Sequence, residues 1–195
     1  MSLQTKKKKE GSTINQTQVQ ARIEFSANEA GYMSPVDEKE YEKTIRDVAR
    51  GVSGSGVLTI EYDYRASPQV VGLGEKNEVV IKFDRNEVLN DGLAHVSFHD
   101  DTCIGCSNTP WGHSRHAVVK IAVNEGLDEG KAIELIKGVI NTLTDFEKDA
   151  IDIAYALSNL FADYLYRYTT KGMRLDLYDS GGDNPESKFE MTYYG

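Results

Sequence analysis

Cysteine and histidine are scarce in this 195-residue chain, two of the first and four of the second, and none lies outside the stretch from His95 to His116. Two cysteines make a poor disulfide framework, so a hydrophobic core has to hold the fold. No apolar run approaches the ~20 residues that cross a bilayer. Met1–Glu10 carries lysines with no apolar segment behind them, so neither a membrane helix nor a secretory signal is expected, and the reducing cytoplasm is the expected compartment. Familiar catalytic signatures are missing as well: no Gly-x-Ser-x-Gly elbow, no His-Glu-x-x-His helix and no internal repeat. The glycine run 51–56 follows a helix and precedes a strand, the reverse of a phosphate-binding loop, and reads as a helix stop. Asp179–Asn184 lacks the spaced ligands of a calcium loop and reads as a hairpin connection.

Excess positive charge is absent too. The formal net charge is −9, although residues 1–10 hold four lysines against one glutamate, so the rest of the chain is more acidic than the total suggests. An acidic body repels phosphate backbones, and no broad nucleic-acid surface is expected beyond a contact by the Lys6–Lys9 run. That run reads first as part of a solvated tail over residues 1–17, with one α+β domain over 18–195.

What is present is periodicity. Val19–Phe25 alternates as a half-buried strand, as do Leu58, Ile60, Tyr62 and Tyr64, then Val79, Ile81 and Phe83, then Ala94, Val96 and Phe98, and a further strand is expected over Ala117–Val123. Tyr41, Ile45, Val48 and Val52 recur at helical spacing behind Ser34-Pro35, which suits a cap followed by a first helical residue. Ile133, Ile136, Val139 and Ile140 mark a second helix. Thr144-Asp-Phe-Glu147 has the capping-box pattern ahead of a third helix of about six turns. Short strands over Met173–Tyr178 and Lys188–Tyr194 complete the chain. An antiparallel or mixed sheet packed on about three helices is the simplest architecture.

The concentrated ligand types carry the chemistry. Cys103-x2-Cys106-x6-His113-x2-His116 offers two closely spaced pairs of the donors zinc prefers. Gly105 permits a sharp turn between the cysteines, and Pro110 and Gly112 keep the intervening loop from becoming a helix. The six-residue linker is half the length found in DNA-reading fingers, so this is a loop site and not a finger. His113 and His116 face the same way if their segment makes one turn-like revolution. On the strand implied by Ala94, Val96 and Phe98, His95 and His99 share the opposite face about 13 Å apart, so at most one of them, His99, joins an alternative ligand set. Asp100 and Asp101 are then the nearest second-shell acceptors or general bases.

Three functions follow from these residues. The first is a non-enzymatic module whose zinc pins an irregular loop and presents Trp111 to a protein partner, since four protein ligands leave no open coordination position. The second is a zinc-dependent hydrolase with three protein ligands, a bound water, and Asp100, Asp101 or the spare histidine moving protons. The third is an acidic inhibitor that imitates nucleic acid, which requires a continuous stripe of carboxylates.

Overall fold

The computed structural model describes residues 12–14, 18–28, 32–65, 75–90, 92–100, 114–123, 127–165, 172–178 and 188–194, with backbone alone for 12–14, 172, 173, 177 and 178. Its elements run β1 (Ser12–Ile14), β2 (Gln18–Ala27), β3 (Met33–Pro35), α1 (Glu38–Gly51), β4 (Gly56–Arg65), β5 (Lys76–Asp84), β6 (Ala94–Asp100), β7 (Ser114–Val123), α2 (Glu129–Leu143), α3 (Ala150–Leu165), β8 (Gly172–Tyr178) and β9 (Lys188–Tyr194). The fold is α+β. Every strand pair is antiparallel, in the order β1-β2-β5-β4-β7-β6-β9-β8, with β3 added to the end of β2.

Strict alternation makes the two sheet faces chemically different. Leu58, Ile60 and Tyr62 of β4, Val79, Ile81 and Phe83 of β5, Ala94, Val96 and Phe98 of β6, and Val119 and Ile121 of β7 are all buried on one face. The three helices lie side by side across it, α1 over β2 and β5, α2 over β4, and α3 over β6 and β9. Gly138 lets α2 and α3 approach, since a Cβ there would stand 2.8 Å from Leu160. The other face carries polar side chains whose charges alternate: Arg22 pairs with Glu78 at 3.2 Å, Lys76 with Asp63 at 3.1 Å and Glu78 at 3.2 Å, and Lys120 with Glu87 at 2.7 Å.

Several boundaries differ from the sequence-based expectation. Pro35 ends β3 opposite Phe25 and does not open α1, whose cap is Asp37, accepting from the Glu40 amide at 3.1 Å. A residue without an N–H is tolerated in such a short added strand, and this removes Ser34-Pro35 from the helix start. Thr144 terminates α2, its hydroxyl donating to the Ile140 carbonyl at 2.8 Å. The capping box lies five residues later: the Asp152 amide donates to Asp149 Oδ1 at 2.8 Å, and the Asp152 carboxylate reaches back to accept from the Asp149 amide at 3.4 Å. The helix expected from Thr144 therefore opens at Ala150, its expected end lies outside the described residues, and Phe146 sits in the connection. Residues 12–14, expected within the tail, pair with Val19, Gln20 and Ala21; the rest of that tail lies outside the described residues.

Candidate metal centre

β6 and β7 form a hairpin whose connection is 101–113, so Asp101, Cys103, Cys106 and His113 lie outside the described residues. The stem is described in full. Its last two rungs are His99 opposite His116 and Asp100 opposite Arg115. Successive side chains of a strand point to opposite faces, so one rung faces the helices and the other faces away.

Asp100 and Arg115 face the helices, with 4% and 0% of their surface accessible. Guanidinium carries five N–H donors in a fixed fork, and all five are used. Nε and Nη2 donate to Asp100 Oδ2 at 3.2 and 2.8 Å; Nη1 donates to the Leu143 and Asp145 carbonyls, and Nη2 to the Lys148 carbonyl, each at 2.9 Å. The carbonyls belong to the end of α2 and the α2–α3 connection. The Phe146 ring lies 4.2 Å below the guanidinium carbon and the Phe98 ring 5.3 Å from it, adding cation–π attraction. Arg115 thus rivets the hairpin stem to the turn between two helices. Asp100, expected as a second-shell acceptor or general base beside the loop, is turned inward by strand parity, and its Oδ2 accepts from this buried cation.

Buried aromatic rings surround the rivet. Tyr64 and Tyr62 pack edge-on against Phe146 with centroids 4.9 and 6.3 Å away. Burial pushes the Tyr62 hydroxyl far above the usual phenol range against the pull of the Arg115 cation, and the hydroxyl donates to Asn77 Oδ1 at 2.8 Å. Burial likewise raises Tyr64 and Tyr41 to about 12.

His99 and His116 face away from the helices and are exposed. Directly opposed residues bring their Cβ atoms within about 4.5–5.5 Å, close enough for both rings to approach one point. His116 Nε2 lies 3.4 Å from Glu61 Oε2 on β4, while by register Asp63 is opposite His116 and Lys188 opposite His99. The backbone is extended from Ser114 onward, so the turn-like revolution expected to align His113 with His116 does not pass through 114–116; the strand opens three residues earlier than its apolar pattern implied. His95 is on the same open face, engaged elsewhere: Nε2 pairs with Glu190 at 2.8 Å and Nδ1 meets the Thr192 hydroxyl at 3.1 Å. Among the described residues no three His, Cys, Asp or Glu side chains converge as a metal site.

The hairpin stem stands at one end of the sheet, where the α2–α3 connection also packs. At that same end, the tips of β2, β4 and β5 border an open groove of about 460 Å³ lined by Phe25, Tyr64, Arg65 and Lys76 among others. Arg115 is the structurally decisive residue that ligand counting passes over. Its signal was present: once Ala117, Val119 and Ile121 are taken as the inward face, position 115 shares their parity, and a charge there demands a buried partner. Comparison with protein-family models, curated proteins and solved structures finds no match to this chain. Among the described residues no helix is long and apolar enough to cross a membrane.

Proposed function

We propose that the chain is a zinc-stapled protein-interaction module, with Cys103, Cys106, His113 and His116 holding one structural ion at the tip of the β6–β7 hairpin. The observation that supports this reading is the Asp100–Arg115 rung, which brings the two ends of the ligand-bearing segment side by side. Cys103 is then three residues from one strand end and His113 one residue from the other. A chain rising at most ~3.5 Å per residue leaves these donors within reach of a common centre. The donor set suits zinc: two thiolates and two imidazoles fill a tetrahedral shell and leave no water-bearing position. His116 projects to the open face, and Glu61 beside it is the carboxylate that orients a ligating imidazole through its second nitrogen. His99, directly opposite, is the alternative candidate for this position, and the two single substitutions tell them apart. The ion supplies order: it pins a loop rich in turn residues so that Trp111 is offered to a protein partner in one conformation.

The test is reconstitution of the full chain under reducing conditions. One zinc per chain is expected by native mass spectrometry, and cobalt in its place should give the absorption bands of a tetrahedral thiolate–imidazole site. Cys103→Ser should abolish both signals. A chain that takes up no zinc, or takes it up equally well as Cys103→Ser, overturns the reading.

A further inference from the structure

The sheet ends in strands of very different kind. At one end is β1, three residues long; at the other is β8, seven residues, hydrogen-bonded to β9 on one side and to no other described strand. Short edges protect themselves, whereas a long edge presents a row of backbone donors and acceptors to any extended chain that matches it. β8 carries no proline and no lysine. It also extends past the helix layer, since α3 lies over β6 and β9. Leu175, on the covered face opposite Met191, is consequently only half-buried while Met191 is fully so.

The side chains of β8 say which chain would match it. Arg174 and Asp176 flank Leu175, both on the open face and joined by a 3.0 Å ion pair. Asp176 stands opposite Glu190 across the β8–β9 ladder, a juxtaposition of like charges that the exposed Arg174 pair offsets in part and that a second cation at the free edge would offset further. We propose that β8 pairs antiparallel with β8 of a second copy, about a two-fold axis at Leu175. In that register Leu175 meets its own counterpart, Arg174 meets the partner's Asp176, and Asp176 meets the partner's Arg174. The match is isologous: one operation satisfies every off-axis rung twice. Because the axis is perpendicular to the sheet, both helix layers lie on the same side, and the half-covered Leu175 is enclosed between the two α3 helices. The open faces merge into one continuous surface.

A seven-residue strand pair is a small interface, so a Kd on the order of 10 µM is expected. Sedimentation velocity of the full chain should show a reversible monomer–dimer equilibrium, and amide exchange should slow in β8 as concentration rises. Arg174→Asp and Asp176→Arg each replace two attractive rungs with two repulsive ones and should weaken self-association roughly tenfold or more. Mixing the two variants restores complementarity, so a heterodimer of near wild-type affinity should form. This rescue separates the interface from any effect of the single substitutions on folding. Three results overturn the proposal: a wild-type chain still monomeric near millimolar concentration, single variants that dimerise like the wild type, or a mixture that stays monomeric.

Discussion

Two rungs of the β6–β7 stem lie one residue apart and meet opposite fates. Asp100–Arg115 is sealed beneath the helices, with each guanidinium N–H committed to a carboxylate or a carbonyl. His99–His116 faces outward, with Glu61 near one ring and Lys188 beside the other position. The same hairpin therefore presents a saturated electrostatic joint to the core and an adaptable pair of imidazoles to the open side. Strand parity alone decides which residues become structural and which stay available for binding. A charge buried in low dielectric must be fully partnered, and a fully partnered charge has no donor left for a ligand.

The sharpest way to break this contrast is to remove the buried cation. Arg115→Met removes the buried cation from beside the Asp100 carboxylate and releases three carbonyls that Arg115 holds. Loss of one member of a buried pair costs about 3–5 kcal/mol, read as a lower midpoint in urea at unchanged slope. Arg115→Lys should recover only part of it, since an ammonium has three donors where the site has acceptors for five. A loss below about 1 kcal/mol for Arg115→Met would place the rung among ordinary surface pairs and make the two rungs energetically alike.

Much of this contrast was legible in the chain, and the parts that were not have physical reasons. Period-two alternation identified the inward faces of β4, β5 and β6, because an apolar residue at every second position has only one way to be buried. It also placed His95 and His99 on the outer face. The order β2-β5-β4 was not readable, since pairing between distant strands leaves no local pattern. Caps slipped because Thr144 and Asp149 are both competent, and tertiary packing of Phe146 against Arg115 selects the second. The metal-ligand spacing was visible as a string of letters. That its last member stands on a strand was hidden, since Ser114-Arg-His116 looks like a solvated loop until Arg115 finds Asp100.

On the outer side, the largest expected effect comes from the proposed zinc site. With zinc about a hundredfold over its Kd, linkage contributes about 3 kcal/mol to stability. Chelation should remove that increment from the wild type and change nothing in Cys103→Ser. If both proteins melt alike with and without chelator, the outer rung has no ion to hold.

High pH probes the covered face through its phenols. Tyr41 and Tyr64 are raised by burial to about 12 and Tyr62 further still, above the ordinary value of 10.0. In the unfolded chain these hydroxyls release protons from about pH 10 upward while the folded ones remain neutral. Their contribution to stability is therefore intact below pH 10 and declines as pH rises through 12. Tyrosinate absorbance from these rings should appear together with loss of secondary structure. Ionisation of Tyr62 in a chain that remains folded would mean that the layer under α1 and α2 admits water.

The smallest effects are the most discriminating. His99→Ala and His116→Ala remove exposed imidazoles, and His116 loses only a solvent-screened contact with Glu61. In the metal-free chain each should change stability by less than about 0.5 kcal/mol. With zinc bound the two should separate: His116→Ala loses the ion's stabilisation, and His99→Ala retains it. The reverse outcome would assign the fourth ligand to β6 instead of β7, leaving the stem geometry intact while moving the ion across the rung. Equal and full loss in both would mean that the two imidazoles act together, with His113 displaced from the shell. Equal retention in both would take the ion off the stem altogether, and the open rung would then be as purely structural as the buried one.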